Sequence, residues 1–282
     1  PSSAASDVYK RQIVRYALLV FAAVIFAFPF YFMVVGAFQS NPTNTPDRLL
    51  PLSGWTTGNF ININARIDLL GSLCNSLIFV CGVLLGTVVF GLLAGYAVAR
   101  MDFRGKGVVW ILMLLVQMVP FQLLMIPLYV QVTRTYGLGD TYLGMILPFA
   151  INTTAVFIFI QFFKSLPADI FEAARVDGAG ELRILWTIAI PMVRPALATV
   201  VLVTFIGPWN EFLWPFLITK DVSMQPLAVS LANYISTVSQ SVANPNGAIL
   251  SGAATLAFPV IVLFCLFQKY FVASDIGSAL KG

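Results

Sequence analysis

The chain has 282 residues, of which 59% are hydrophobic and only 10% are charged, and its mean hydropathy is +0.89. A soluble domain of this length could not cover so much apolar surface, so the composition excludes a soluble protein and predicts several membrane spans. The formal net charge of +4 comes from Lys and Arg residues that flank the apolar runs, and it implies no nucleic-acid partner.

The first twelve residues are set apart from the functional reasoning. Pro1 is not an initiator Met, and the run from Asp7 to Gln12 looks like a translated sequencing-adapter end. We expect residues 1–12 to be non-native and the native N-terminus to be missing. Residues 13–282 are predicted to form a single transmembrane domain.

Six apolar runs predict six membrane-spanning helices, since a span needs about 20 apolar residues. Five runs are uncharged, and the sixth is interrupted only by Glu211. The runs are 16–38, 72–99, 107–133, 141–163, 195–219 and 247–268. Pro120 and Pro127 predict kinks in the third run, and Pro148 predicts one in the fourth. The fold class is therefore all-α, with both termini on one side of the membrane.

The distribution of Lys and Arg assigns that side to the cytoplasm. Twelve of these residues lie on the side of the termini, and four (Arg48, Arg66, Arg134 and Lys220) lie on the other. Without Lys10 and Arg11 the count is still ten against four. The segment 164–194 is therefore predicted to be a cytoplasmic loop.

Glycine pairs and cysteines within the spans indicate packing. Gly82 and Gly86, like Gly91 and Gly95, have the GxxxG spacing that lets two helix backbones approach closely, either inside the bundle or at a dimer face. Three cysteines, all within predicted spans, are interpreted as small packing residues without disulfides. They are Cys74, Cys81 and Cys265.

No catalytic, cofactor or metal site is predicted on this chain. The sequence has no His, which excludes His-based triads, HExxH proteases and zinc sites of ordinary composition. It also lacks a GxSxG elbow, and Gly105-Lys106 lacks the preceding glycine of a phosphate-binding P-loop. If the protein uses ATP, another chain must hydrolyse it.

A polar, glycine-containing segment within the loop 164–194 predicts two short helices. Asp169 and Glu172 follow Pro167, where the positive end of a helix dipole favours carboxylates and Glu172 could complete a capping box. Asp177-Gly178 offers the left-handed position that ends a helix. A second helix should then run from residue 181 to residue 190 and stop at Pro191.

This segment resembles the EAA loop of ABC-importer permeases. The family pattern is Glu-Ala-Ala, three residues, Gly, nine residues, Ile, one residue and Leu-Pro, and here only Ile190 departs from it, in place of Leu. The two-helix shape alone could also belong to an ordinary amphipathic loop, whereas the full spacing is specific to the family. The residues assigned to coupling with an ATPase are Glu172, Ala173, Ala174, Asp177, Gly178, Ala179, Ile188 and Pro191.

Further stretches are similar to carbohydrate-importer permeases of the maltose type, in particular the shorter second subunit. They are Asn75-Ser76-Leu77, residues 96–100, 209–212 and 267–271, and the Lys281-Gly282 ending. The resemblance implies a type I ABC-importer permease bundle in a prokaryotic cytoplasmic (inner) membrane, surrounded by lipid. It implies a second permease subunit in a heterodimer, an ATPase dimer that binds ATP and Mg, an extracytoplasmic solute-binding protein, and a carbohydrate as the transported solute.

A possible solute path is predicted around Glu211, because a carboxylate within a span is costly unless it faces a partner or water. The proposed lining is Gln117, Gln122, Asn152, Trp209, Asn210 and Glu211. Alternatively, Trp209 and Trp214 form an aromatic belt that places Glu211 at the outer interface.

Two functional alternatives stay open. The first is an ABC-importer permease for another solute, such as a polyamine, a phosphate ester or a peptide. The second is a proton-coupled transporter that uses Glu211 as a relay and needs no ATPase.

Overall fold

The structure is a computed structural model that describes residues 3–42, 54–238 and 245–279, with side chains from residue 9 to residue 267 inside these ranges. Nearly all of this part of the chain is helical. Arg48, the Lys281-Gly282 ending and the side chains of residues 268–271 lie outside the described residues.

The helices of the described residues are numbered here in chain order. They are α1 (Ser3–Ala37), α2 (Gly58–Ile67), α3 (Leu69–Arg100), α4 (Lys106–Met118), α5 (Phe121–Val130), α6 (Tyr142–Ala150), α7 (Thr153–Ser165), α8 (Ala168–Val176), α9 (Glu181–Ile184), α10 (Ile190–Met192), α11 (Arg194–Asn210), α12 (Leu213–Ile218), α13 (Leu227–Asn233) and α14 (Pro245–Ala279). Three π-helical turns interrupt or extend them, at Gln131–Thr135, Leu185–Ala189 and Tyr234–Val238.

Three single helices and three bent pairs are long and apolar enough to cross a membrane. The single helices are Tyr9–Ala37, Leu69–Arg100 and Pro245–Phe267. Two of the bent pairs are Lys106–Met118 with Phe121–Thr135, and Tyr142–Ala150 with Thr153–Ser165. The all-α class with as many as six spans is confirmed, and these five candidates cover the first four predicted runs and the last.

The bends arise where the backbone leaves the helical region. Val119 and Pro120 are extended, as expected of a residue before proline, and α4 meets α5 at 96°. Ile151 and Asn152 are also extended, and α6 meets α7 at 46°. The kink at Pro120 is therefore a complete break of the helix.

The run 195–219 differs from the prediction of one span interrupted only by the charge of Glu211. Helix α11 ends at Asn210, Glu211 has an extended backbone, and α12 begins at Leu213. Helix α11 has 17 residues, which is close to the lower limit of about 17 for a span. The chain also turns by 78° between Glu181–Met192 and Arg194–Asn210.

Glycines on α3 bring this helix close to α6 and α7. A Cβ atom on Gly86 would lie 2.8 Å from the Cβ of Ala150, and one on Gly95 would lie 2.6 Å from the Cβ of Phe159. Gly82 and Gly91 face Ile146 and Phe159 in the same way. The GxxxG pairs therefore pack within the bundle, as the first of the two interpretations predicted.

The Asn75-Ser76 pair holds the segment before α13 against the N-terminal part of α3. The Nδ2 of Asn75 donates to the carbonyl oxygens of Ser223 (2.8 Å) and Gln225 (3.1 Å), and its Oδ1 accepts from the Tyr142 hydroxyl at 2.6 Å. Ser76 Oγ accepts from the amide of Leu227 at 2.8 Å. These buried bonds satisfy backbone groups of an irregular segment, as a membrane interior requires.

None of the three cysteines forms a disulfide in the described part of the chain, and all three side chains are exposed. The absence of a disulfide between them agrees with the sequence interpretation. The prediction that they pack within the chain is wrong, because their side chains are exposed and lie outside the described core.

The chain divides into two compact units. The first contains residues 1–69 and 231–258; in it, the Nδ2 of Asn59 donates to the carbonyl oxygens of Ala37 (2.9 Å) and Gln39 (2.7 Å). The second contains residues 70–230 and 259–282 and holds every predicted site residue. The single-domain organisation of residues 13–282 stays a prediction.

Candidate functional site

The candidate coupling unit comprises residues 168–192, from α8 to α10. Helix α8 begins directly after Pro167, and Asp169 lies in its first turn, where the helix dipole favours it. No side chain caps this helix. The predicted capping box of Glu172 is therefore wrong, because α8 begins at Ala168 and Glu172 lies in the second turn with an exposed side chain.

The turn between α8 and α9 is a Schellman motif centred on Gly178. Gly178 has φ +81°, its amide donates to the Arg175 carbonyl at 3.0 Å, and the next amide, that of Ala179, donates to the Ala174 carbonyl at 3.0 Å. The predicted left-handed position is confirmed. The turn satisfies the last carbonyls of α8 without a side-chain cap.

Pro191 does not stop the second helix as predicted. The π-helical turn Leu185–Ala189 precedes Pro191, and α10 continues through the proline to Met192. The wider turn changes the hydrogen-bond register ahead of the proline, which has no N–H to donate. The chain turns only at Val193, and Pro195 then lies in the first turn of α11, where proline is tolerated.

One face of the coupling unit is buried in a single apolar cluster. Phe171 and Ala174 of α8 and Ile184 of α9 belong to it, together with Leu185 and Ala189 of the π-helical turn. Their partners lie on α3 and α7, and they are Leu92, Tyr96, Phe159 and Phe163. The unit is therefore packed on the ends of two helices that cross the apolar part of the protein.

A polar network joins the same elements. Glu181 accepts from Arg175 Nε through Oε1 at 2.7 Å and from the Tyr96 hydroxyl through Oε2 at 2.6 Å. Arg175 Nη2 also donates to the carbonyl oxygen of Arg100 at 3.3 Å. The hydrogen bond from Arg175, with a second from Tyr96, holds the pKa of the Glu181 carboxyl below its usual range. Glu181 is therefore a carboxylate at neutral pH.

Arg100 forms a second connection at the C-terminal end of α3. Its Nη2 donates to the carbonyl oxygens of Phe163 and Leu166, and its guanidinium lies 4.3 Å from the centre of the Phe171 ring. The two carbonyls lie at the C-terminal end of α7, and the Phe163 carbonyl also accepts from the amide of the C-cap residue Leu166 at 3.3 Å. The buried Nε of Arg100 has no hydrogen-bond partner among the described residues.

The opposite face of the coupling unit is exposed and unusually apolar for a surface outside the spans. The exposed fractions are 87% for Val176, 68% for Leu182 and 63% for Trp186, and Glu172 is exposed beside them. Large apolar side chains grouped in this way indicate an interaction surface.

The predicted coupling residues divide between the two faces. Ala174 and Ile188 pack on the cluster, and Ala179 is half-buried against it. The other five are exposed: Glu172, Ala173, Asp177, Gly178 and Pro191. The sequence reasoning did not assign roles to Tyr96, Arg100, Arg175 and Glu181, although the Tyr96 to Arg100 stretch contributed to the resemblance.

A polar cavity of about 310 Å³ lies between α4, α11 and the α6–α7 break. Three of the six predicted path residues line it, namely Gln117, Asn152 and Glu211. Hydroxyl-bearing neighbours add to the lining, and they are Thr153, Thr154 and Thr204. The cavity thus offers carboxamide, hydroxyl and carboxylate groups on an otherwise apolar wall.

Glu211 lies at the break between α11 and α12. Its Oε1 accepts from the amides of Leu213 (3.1 Å) and Trp214 (3.2 Å), which are the first amides of α12. The carboxylate therefore caps a helix N-terminus and faces the cavity as well. This arrangement explains how a charge is accommodated within the predicted span.

The other three predicted path residues lie elsewhere. Trp209 is buried and stacks on Phe205 with ring centres 5.3 Å apart, and Asn210 donates to the carbonyl of Ile206. Gln122 is exposed and is absent from the cavity lining. Trp214 is fully buried. Because both tryptophan rings are buried, they do not form the alternative aromatic belt.

Comparisons with known proteins identify the family of the chain. A family model for binding-protein-dependent transport system inner membrane components matches residues 87–274. The arabinooligosaccharides transport system permease protein AraQ of Halalkalibacterium halodurans is 31% identical over 93% of this chain and 94% of its own length. The diacetylchitobiose uptake system permease protein NgcG of Streptomyces coelicolor is 31% identical over 96% of this chain and 90% of its own.

A third relative and a solved structure extend the comparison. The sn-glycerol-3-phosphate transport system permease protein UgpE of Yersinia enterocolitica is 31% identical over 93% of this chain and 95% of its own. The crystal structure of a bacterial ABC transporter involved in the import of the acidic polysaccharide alginate contains a chain with the same fold; its TM-score is 0.83 at 24% identity, over 96% of this chain and 99% of that one. The chain therefore belongs to the family of binding-protein-dependent transport system inner membrane components.

Proposed function

We propose that this chain is a permease subunit of an ATP-binding-cassette importer in a prokaryotic cytoplasmic membrane, and that it carries a carbohydrate inward. The main support for the proposal is the arrangement of the two faces of the coupling unit. Its buried face is packed on α3 and α7, while its opposite face presents an apolar surface beside the exposed carboxylate of Glu172.

An ATPase subunit is the partner that suits this surface. Val176, Leu182 and Trp186 supply apolar area for a groove, and Glu172 supplies a charge that a cationic group of the partner could pair with. One coupling unit on each of two permease chains would occupy the two halves of an ATPase dimer. ATP and Mg are bound by those partner chains.

Movement of the ATPase dimer would then act on the permease through the coupling unit. Closure of the dimer on ATP displaces α8 and α9, and the ends of α3 and α7 move with them because they share one packed cluster. The bundle changes from an inward-facing to an outward-facing state, and an extracytoplasmic solute-binding protein delivers the solute. Hydrolysis returns the bundle to its first state.

The polar cavity supports a neutral, hydroxyl-rich solute. Gln117, Asn152 and the threonine hydroxyls can donate and accept hydrogen bonds, as a sugar requires. None of the described residues that line the cavity is Lys or Arg, and one of them, Glu211, carries a carboxylate. A phosphate ester, such as the solute named for UgpE, would be repelled by this charge, so the cavity favours a carbohydrate over a phosphate ester.

A panel of solutes tests the proposed substrate class. The permease, its partner permease, the ATPase and the binding protein are reconstituted in liposomes, and uptake is measured for oligosaccharides, monosaccharides, glycerol 3-phosphate, spermidine and a short peptide. We expect ATP-dependent uptake of one or more sugars. Uptake restricted to glycerol 3-phosphate, spermidine or the peptide would refute the carbohydrate assignment and leave the importer assignment standing.

A further inference from the structure

We propose that Tyr96, Arg175 and Glu181, here called the inner network, are positioning residues that fix the direction of the coupling unit relative to α3. Without this network, ATP hydrolysis by the partner would no longer be converted efficiently into solute movement. The inference rests on the proposed function. It names residues other than those that match the family motif, which are Glu172, Ala173, Ala174, Gly178, Ile188 and Pro191.

The Glu181 carboxylate connects three separate elements. Its Oε1 is bound to Arg175 on α8, its Oε2 is bound to Tyr96 on α3, and the residue itself begins α9. Tyr96 and Glu181 are 85 residues apart in the chain. Helix α9 is thus hydrogen-bonded directly to α3, and α8 is connected to the same end of α3 through Glu181.

Arg175 also connects α8 directly to α3. Its Nη2 donates to the carbonyl oxygen of Arg100, which is the last residue of α3. Arg100 in turn donates to the carbonyls of Phe163 and Leu166. The end of α3 therefore contacts both the coupling unit and the end of α7 through directed bonds.

The network adds direction more than stability. The side chains of Arg175 and Glu181 are 38% and 36% exposed, and a pair exposed to this degree contributes at most about 1 kcal/mol to folding. The apolar cluster already holds the unit in place. Apolar contacts permit sliding and rotation, whereas hydrogen bonds have preferred angles. Loss of the network should therefore leave the unit bound but free to shift when the ATPase moves.

Tyr96→Phe is the sharpest variant, because it removes one oxygen atom. The ring contacts of residue 96 with Phe163 (5.5 Å) and Phe171 (6.4 Å) stay available. Glu181→Gln keeps the shape of the other partner and removes its charge. Asp102→Asn is the matched control, since it breaks an exposed ion pair with Lys106 (3.5 Å) in the loop after α3, outside the network.

The experiment measures solute imported per ATP hydrolysed in the reconstituted complex with saturating binding protein, together with the amount of assembled complex. We expect Tyr96→Phe and Glu181→Gln to lower this ratio by about threefold to tenfold, the range that one lost hydrogen bond of ordinary net strength allows. The double variant should lose less than the sum of the two single losses, because both changes act on the bond between Tyr96 and Glu181. Asp102→Asn should keep the wild-type ratio.

The outcomes separate this inference from the proposed function. If the wild-type complex shows no ATP-driven uptake, the proposed function fails and the inference fails with it. If the wild type is coupled and the variants keep its ratio, the inference alone is refuted. Less assembled complex at an unchanged ratio would also refute it, since that result indicates a purely structural role. If Glu181→Gln fails to assemble, Tyr96→Phe decides.

Discussion

Replacement of Gly178 should uncouple transport through a backbone effect alone. A Cβ atom at residue 178 would meet nothing within 4 Å, and the same holds at Gly180 two residues further on. The two glycines differ in conformation, because Gly178 has φ +81° whereas Gly180 has φ −71° and ψ 157°. Any residue can adopt the second conformation, but a side chain disfavours the first.

The expected cost follows from this difference. An L-residue in the left-handed region costs about 1–2 kcal/mol, with Asn below that range and β-branched residues above it. Since about 1.4 kcal/mol is a factor of ten, Gly178→Ala should reduce the population of the native turn by about tenfold relative to competing conformations. Gly178→Asn should be mild, and Gly178→Val should be the most damaging of the three.

The assay is ATP-driven uptake in proteoliposomes, normalised to the amount of assembled complex. Uptake should fall in the order Gly, Asn, Ala and Val at residue 178, while partner ATPase activity persists. Gly180→Ala and Gly180→Val are the matched controls and should transport like the wild type. Full uptake by Gly178→Val, or equal damage by Gly180→Val, would refute the reasoning.

Three further predictions concern the cavity, the topology and the packing of α3. Glu211→Gln should alter the rate or apparent affinity of sugar uptake modestly, because Gln keeps an oxygen that can accept from the amides of α12, and Glu211→Ala should lose more; equal wild-type transport by both variants would exclude this residue from the path. In a chain whose native cysteines are replaced by Ser, a cysteine at Ser165 should react with an impermeant thiol reagent only after the cells are opened, and labelling of intact cells would overturn the orientation. Gly86→Ala should lower the free energy of unfolding in detergent by about 1–3 kcal/mol, because the new methyl group would lie 2.8 Å from the Ala150 Cβ atom; Gly107→Ala, which meets nothing within 4 Å, is the control, and an equal effect of the two would contradict the packing.

The features of the fold that are determined by residues close together in the sequence were predictable. The apolar runs indicated the spans, and Asp177-Gly178 indicated the helix end, because both signals are local. The GxxxG pairs indicated close packing but could not name Ala150 and Phe159 as the partners. Contacts between distant parts of a chain leave no such local pattern.

The errors have the same origin. Pro191 was expected to end a helix, but a π-helical turn accommodates it, and no residue pattern marks that turn in advance. Glu211 was expected within a continuous helix, and the break that lets it cap α12 depends on the surrounding packing. The bond between Tyr96 and Glu181 spans 85 residues, so spacing could not indicate it.

The energy source for uptake tests the central claim most directly. Proteoliposomes that contain the assembled complex are supplied with labelled sugar and loaded binding protein, with ATP present or absent on the side of the ATPase. A protonophore is added in parallel. The account predicts uptake that requires ATP and the binding protein and is unchanged by the protonophore. Uptake without ATP that follows an imposed proton gradient, and is abolished by the protonophore, would contradict it.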